Sequence, residues 1–102
     1  MRLLSYNIQY GYGRDGAYRL DRVANVVKSA DIAALQEVDR HWQRTSFDDQ
    51  PDLLAKMLPD HHMVFAAAFD MDAAIPTNKS RRRQFGQMIL SRWPILWSRT
   101  HL

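Results

Sequence analysis

The spacing of apolar residues along the chain predicts a small α/β domain. Residues 2–9 and 31–37 are short apolar runs rich in β-favouring side chains, and such runs are typical of strands. The segment between them, residues 18–29, has apolar residues at helical spacing: Leu20, Val23, Val26 and Val27. A strand–helix–strand unit of this kind normally has two parallel strands and a right-handed crossover.

The second half of the chain predicts one more helix and three more strands. The helix spans residues 49–58, because aspartates and Pro51 mark its start and Pro59 stops it. The strands are predicted at residues 62–68, 87–91 and 95–98. Residues 69–85 have no clear period, and a loop of that length in a small domain is usually a functional rim or a mobile segment.

Polar side chains stand at the ends of the first two predicted strands. Asn7 ends the first strand, and Glu37, the only glutamate among eleven acidic residues, ends the second. The carboxyl ends of parallel strands lie at one edge of a sheet, where open α/β sheets bind ligands. A carboxylate in an apolar strand needs a cation, a hydrogen-bond network or a metal to compensate it. Two oxygen-bearing side chains at this edge therefore suggest a site for a hard metal ion.

Both residues also have a simpler explanation. Glu37 could form a salt bridge with a nearby arginine such as Arg40. Asn7 could be a turn-forming amide in front of the glycine-containing loop at residues 11–16, which is a common role of asparagine.

Composition limits the classes of protein to consider. A chain of 102 residues with 46% apolar residues is at most one small globular domain. The apolar runs are far shorter than a membrane span, and the chain starts with a strand rather than a signal peptide, so a cytoplasmic location is expected. The absence of cysteine excludes disulfides and thiolate metal sites.

Arginine dominates the basic residues, with eleven of the fourteen, in a chain of net charge +3. Its guanidinium group binds phosphate in bidentate geometry, although a codon-usage bias would give the same composition. Arg44, in the polar segment 38–46, and the run Arg81, Arg82 and Arg83 are candidates for contact with a substrate phosphate. Solvated loop arginines are the simpler interpretation of both.

Three blocks of sequence resemble one known family. They are residues 5–8 (Ser-Tyr-Asn-Ile), residues 35–39 (Leu-Gln-Glu-Val-Asp) and residues 86–95 (Gly-Gln-Met-Ile-Leu-Ser-Arg-Trp-Pro-Ile). In order and spacing they are similar to the endonuclease/exonuclease/phosphatase family of metal-dependent phosphoesterases. Gln87 departs from the asparagine that the family often has there. The resemblance implies that residues 1–102 are a partial domain, the N-terminal half of a DNase I-like α/β/β/α four-layer sandwich, with a mixed sheet and two helices.

The resemblance also implies a reaction and a site. The expected reaction is hydrolysis of a phosphodiester or phosphomonoester by water that Mg²⁺ or Mn²⁺ activates. Glu37 would be a metal ligand, and Asn7 would position the metal or a bound phosphate. The substrate would be a nucleic acid, a nucleotide, a phospholipid or an inositol phosphate.

Two motifs of the family's second half, an Asp-x-Asn and a late Asp-His pair, are not found in these 102 residues. The resemblance therefore implies that these residues provide metal ligands but not the group that aligns the attacking water. It leaves open whether the chain is an enzyme by itself. The alternative is an inert half-domain that binds anions or nucleic acid through Arg81, Arg82 and Arg83. Half a sandwich would also leave one sheet face uncovered, so a homodimer through that face is expected.

Overall fold

A mixed sheet of four strands forms the centre of the chain in the computed structural model, which describes residues 1–73 and 82–100. The strands are β1 (Leu3–Asn7), β2 (Ile32–Arg40), β3 (His62–Met71) and β4 (Arg83–Ser91). Their order across the sheet is β1-β2-β4-β3, with β1 and β2 parallel and the other pairs antiparallel. The helices are α1 (Leu20–Val27) and α2 (Gln50–Met57), and two 3₁₀ turns span Gln9–Gly11 and Gln43–Thr45. Neither helix is long and apolar enough to cross a membrane.

The predicted strand–helix–strand unit is confirmed, and it provides most of the core. One face of α1 is buried, as the apolar spacing predicted. That face joins Ala33 and Leu35 of β2, Met88 and Leu90 of β4, and Leu54 of α2 in one apolar cluster. All of these side chains lie on one face of the sheet, because residues two apart in a strand point the same way. The two helices therefore cover one face of the sheet.

The second helix starts and stops where its sequence predicts. Asp49 caps α2 by accepting a hydrogen bond from the Asp52 amide at 3.2 Å, and Pro51 lies in the first turn. The helix ends at Met57, two residues before Pro59.

The predicted loop at residues 69–85 is wrong at both ends. Residues 69–71 extend β3 and residues 83–85 begin β4, and the two segments pair with each other. Residues 69–71 are exposed, so the alternation that marks a half-buried strand is missing there. The predicted polar loop at residues 38–46 also begins too early, because β2 continues to Arg40.

The fifth strand predicted at residues 95–98 is wrong as well, since residues 92–100 form no helix or strand. A hairpin with the preceding strand is excluded, because β4 already has β2 on one side and β3 on the other. Trp97 instead lies across the sheet face that the helices leave open, where it lines a groove with Val64 and Ile89.

Gly86 lies between two bulges in the sheet. On one side, the register between β2 and β4 passes from Leu35–Met88 to Val38–Gly86, so β2 has an extra residue. On the other side, β3 has an extra residue between Ala67 and Phe69. A Cβ atom on Gly86 would lie 1.9 Å from the carbonyl oxygen of Ala66. Only glycine lets the strands approach this closely.

Replacing Gly86 with alanine should lower the free energy of unfolding by about 2–3 kcal/mol, because the added methyl group meets backbone that cannot move aside. Gly16→Ala is the matched control. Gly16 has a φ of +77° but no atom within 4 Å of an added Cβ, so its replacement should cost only about 1 kcal/mol of backbone strain. Urea unfolding followed by circular dichroism measures both values. Equal losses would contradict the close approach at Gly86.

Candidate functional site

The backbone places Asn7 and Glu37 at neighbouring positions. Asn7 is the last residue of β1 and pairs with Gln36, so Glu37 lies one residue further along the adjacent strand. Asn7 is exposed and Glu37 is partly buried. Both residues thus lie at the carboxyl end of the parallel pair, which is the arrangement expected from their spacing.

The sequence predicted that Glu37 ends its strand. Instead, Glu37 lies inside β2, which continues to Arg40. Gln36 and Glu37 together stand opposite a single residue of β4, Gln87, which makes a β-bulge. The φ of Glu37 is +59°, a left-handed conformation that costs a residue with a side chain about 1–2 kcal/mol. Such strain persists where the surrounding structure enforces it, and it is frequent in functional sites.

Left-handed backbone is concentrated at this edge of the sheet. Among the described residues other than glycine, those with a positive φ are Gln9, Tyr10, Glu37, His41, Ser46 and Phe47. All of them lie in two segments, residues 9–10 after β1 and residues 37–47 from the bulge onward. The strained segments therefore border Asn7 and Glu37 from both strands.

The salt bridge between Glu37 and Arg40, which would explain Glu37 more simply than a ligand does, is not observed. Arg40 donates instead to Asp49 Oδ1 at 3.0 Å and to Gln84 Oε1 at 2.9 Å. Within residues 1–73 and 82–100, no salt bridge involves Glu37. None of the described cations therefore compensates the charge of this carboxylate.

Asn7 does have the turn-forming role that was its simpler explanation. Its Oδ1 accepts a hydrogen bond from the Gln9 amide at 3.0 Å. A carbonyl oxygen has two lone pairs, so this bond leaves capacity for a second partner. The turn fixes the side chain and does not exclude a role in a site.

Arg44 is held by a buried carboxylate that the sequence analysis did not single out. Asp39 has no solvent exposure. Arg44 donates to it through Nε at 2.9 Å and Nη2 at 2.8 Å, and Thr45 Oγ1 donates at 3.0 Å. The bond to Asp39 raises the pKa of Arg44 and burial opposes this rise, while the negative charges of Asp39 and Glu37 add to it. No local pattern in the sequence marked this pair, because Asp39 and Arg44 meet only when the segment after β2 folds back over the end of that strand.

Aromatic rings surround the same guanidinium group. The guanidinium carbon of Arg44 lies 3.7 Å from the centre of the Tyr10 ring, 5.2 Å from that of Trp42 and 5.4 Å from that of Phe85. The guanidinium carbon of Arg83 lies 5.1 Å from the Trp42 ring. These are cation–π distances, which further limit the motion of both arginines.

Hydrogen bonds tie the segment after β1 to the segment after β2. Tyr12 donates to the Arg44 carbonyl at 2.6 Å, and Gln50 Nε2 donates to the Tyr10 carbonyl at 2.8 Å. Tyr18 donates to Asp48 Oδ2 at 2.7 Å, and burial raises the pKa of Tyr18. The two segments thus form one rigid rim beside Asn7 and Glu37.

The predicted arginine run is only partly described. Arg81 lies outside the described residues. Arg82 pairs with Asp70 at 2.7 Å and Asp72 at 3.0 Å, and its hydrogen bond lowers the pKa of Asp70. Arg83 donates from Nε to the Asp72 carbonyl at 2.9 Å and lies over Trp42. Two carboxylates thus compensate the charge of Arg82, which weakens the alternative function built on this run.

The comparisons with known proteins agree with this fold and these motifs. Residues 4–102 match the model of the Endonuclease/Exonuclease/phosphatase family. The chain belongs to this family. Members are phosphoesterases that generally depend on a divalent metal. A search of curated proteins found no significant match.

Two solved endonuclease/exonuclease/phosphatase family proteins have the same fold. The one from Beutenbergia cavernae is 23% identical, with a TM-score of 0.69 over 96% of this chain. The one from Leptotrichia buccalis is 16% identical, with a TM-score of 0.62 over 95% of this chain. The chain covers 27% and 39% of their lengths. It therefore has part of the DNase I-like domain, a mixed sheet with two helices, as the sequence predicted.

The side-chain oxygen atoms of Asn7 and Glu37 are of the type that a hard divalent cation prefers as ligands. Mg²⁺ prefers oxygen ligands and keeps several waters, so one carboxylate and one amide oxygen can hold it weakly. Among residues 1–73 and 82–100, no group of three or more His, Asp or Glu side chains is placed to hold a metal. Any cation bound through Glu37 and Asn7 would thus take its other ligands from water, substrate or groups outside the described residues.

Replacing Glu37 with glycine should raise the free energy of unfolding by about 0.5–1 kcal/mol, because glycine adopts a positive φ without the Cβ clash. Gln36→Gly, one residue earlier in the same strand, should lower it by about 1 kcal/mol, since that position has no strain to relieve. Chemical denaturation measures both. A loss of stability at Glu37 equal to that at Gln36 would mean that the bulge is not strained.

Proposed function

We propose that this chain provides the metal-binding part of a phosphoesterase that hydrolyses a phosphodiester or phosphomonoester with water activated by Mg²⁺ or Mn²⁺. The observation that supports it is the carboxylate of Glu37, which the sheet holds in a strained bulge beside Asn7 and which lacks a salt-bridge partner among the described residues. A strained, uncompensated carboxylate at the ligand-binding edge of a sheet is typical of a functional group.

Each residue of the pair has its own role in this proposal. Glu37 is the ligand of the cation. Asn7, fixed by its bond to the Gln9 amide, positions the cation or a phosphoryl oxygen. When bound, the cation would supply Lewis-acid polarisation of the phosphate and lower the pKa of a bound water.

Other groups must complete the reaction. Hydrolysis of a phosphate ester needs an aligned nucleophile and stabilisation of the leaving oxygen. We assign both tasks to groups outside the described residues, supplied by a longer protein or by a second chain. The chain covers only 27% and 39% of the lengths of its two solved relatives, so the larger part of each relative has no counterpart in it.

The substrate is a phosphate ester: a nucleic acid, a nucleotide, a phospholipid or an inositol phosphate. We infer that Arg44 contacts it, because its guanidinium group is partly exposed and its segment is hydrogen-bonded to the segment that follows Asn7. Arg83 reaches the same aromatic cluster through Trp42. Arg82 is the weaker candidate, since Asp70 and Asp72 already pair with it.

Isothermal titration with Mg²⁺ or Mn²⁺ tests the metal ligand. The chain should bind weakly, and Glu37→Gln should weaken binding at least about tenfold, because the substitution removes the one anionic ligand that we assign. Asp60→Asn is the matched control, since Asp60 is an exposed carboxylate in the turn before β3 and should leave binding unchanged. Equal affinity of the Glu37→Gln variant and the parent chain would refute the assignment.

Self-association tests the proposed dimer. On the face opposite the helices, Ile89 is 39% exposed and Trp97 is 78% exposed, and a second copy is the simplest cover for such a face. Sedimentation equilibrium at low micromolar concentration should detect a dimer that Ile89→Lys converts to monomer. Val26→Lys, at a 46% exposed position on α1, should not affect it. A monomeric parent chain that binds no hydrophobic dye would contradict this proposal.

A further inference from the structure

Arg44 keeps hydrogen-bond donors that the described structure does not use. A guanidinium group has five N–H donors. Asp39 takes one from Nε and one from Nη2, and no described residue takes a hydrogen bond from Nη1. The side chain of Arg44 is 41% exposed, whereas that of Asp39 has no exposure. Asp39 thus lies beneath the guanidinium group, and the remaining donors are available to a ligand at the surface.

A second guanidinium group packs on the same tryptophan ring as the first. Arg44 and Arg83 both lie about 5 Å from the ring centre of Trp42, at 5.2 and 5.1 Å. Trp42 is itself fixed, because its Nε1 donates to the Gln84 carbonyl at 2.7 Å. Among residues 1–73 and 82–100, no carboxylate forms a salt bridge with Arg83. Both arginines therefore pack on Trp42, with guanidinium carbons no more than about 10 Å apart, and Arg83 has no anionic partner among these residues.

We propose that Arg44, Arg83 and Trp42 form a subsite for a second phosphate group of the substrate, next to the phosphate that is hydrolysed. This inference rests on the proposed function, in which Glu37 and Asn7 bind at the reacting phosphate. It narrows the substrate to a class with at least two phosphate groups. A substrate with a single phosphate would leave the subsite empty.

Asp39 is the positioning residue of this subsite. Its bidentate bond fixes the plane of the Arg44 guanidinium, and stacking on Tyr10 at 3.7 Å fixes the opposite side of the same group. Ordering a free arginine on binding costs side-chain entropy, and a preorganised one avoids most of that loss. Asp39 also reduces the net charge of the pair, so recognition at Arg44 depends on directed hydrogen bonds more than on charge.

Two kinds of molecule carry the two or more phosphate groups that this subsite would recognise. One is a nucleic acid strand, whose successive phosphates would contact the two arginines while a base stacks near the aromatic rings. The other is a compact polyphosphorylated molecule, which would use the arginines alone. The two differ in whether aromatic contacts add to the affinity.

The test is equilibrium binding of the 102-residue chain to a fluorescent single-stranded oligothymidylate, by anisotropy, in EDTA and over a range of salt. EDTA separates this test from the metal site, so Glu37→Gln should have little effect. Arg44→Ala and Arg83→Ala should each weaken binding about tenfold. Each should also reduce the slope of log K against log salt by about 0.7, the value for one lost phosphate contact on a single strand.

Arg2→Ala is the matched control. Arg2 is exposed and precedes β1 at the opposite end of the sheet, and its loss removes the same charge. It should change affinity by less than about twofold. If Arg44→Ala and Arg83→Ala change the affinity and the slope no more than Arg2→Ala does, the subsite is overturned, even if Glu37 proves to bind metal.

Inorganic tripolyphosphate in competition with the labelled strand distinguishes these two kinds of molecule. Competition at affinities comparable to that of the unlabelled strand supports a compact polyphosphorylated substrate, and competition only by the strand supports a polynucleotide. Either result supports the subsite, provided that binding depends on Arg44 and Arg83.

Asp39→Asn tests the positioning role, because charge and position predict opposite effects. The substitution raises the net charge by one, which by itself would tighten binding to an anion. The proposal expects about tenfold weaker binding, since Arg44 loses its bidentate partner. Arg44→Lys keeps the charge and the buried carboxylate and should also bind about tenfold more weakly. Circular dichroism verifies that both variants are folded, and unchanged or tighter binding by folded Arg44→Lys would overturn the positioning role.

Discussion

The buried carboxylate of Asp39 is the constraint on which the edge of the sheet beside Glu37 depends. A charged group without solvent exposure is strongly destabilising unless it is paired and hydrogen-bonded. Arg44 and Thr45 provide the donors, and both belong to the segment between β2 and α2. That segment therefore has to fold back over the end of β2. Its position then fixes Trp42 and the aromatic cluster, and it closes one side of the edge that holds Glu37.

The two ends of the sheet differ in regularity. At the end where β1 starts, the strands pair in register. At the other end, bulges on both sides of Gly86 and a group of left-handed residues interrupt the regular pairing. The apolar core spans both ends, since Ile8 and Val38 belong to it, and the irregular end also holds side chains in positions that a regular strand does not provide. This division is usual in proteins, where local rules are broken mainly at functional sites.

The chain belongs to the endonuclease/exonuclease/phosphatase family, and the resemblance to that family singled out Asn7 and Glu37 but not the surroundings of Arg44. A fold hosts many functions, and the particular side chains at its binding edge select among them. Here the selection would lie with Trp42 and Arg44 of the segment after β2 and with Arg83 of β4.

The sequence by itself determined the β1–α1–β2 unit, the limits of α2 and the proximity of Asn7 to Glu37. These follow from local periodicity, capping residues and the parallel pairing that a helical crossover imposes. Only the tertiary structure decided the rest. The bulge at Glu37 depends on how β2 pairs with β4, and the extension of β3 depends on its own pairing with β4. Residues 95–98 cannot form a hairpin with β4, because β2 and β3 occupy both of its edges. Asp39 and Arg44 meet only because the intervening chain folds over a buried charge. Each of these features depends on partners that the local pattern does not specify.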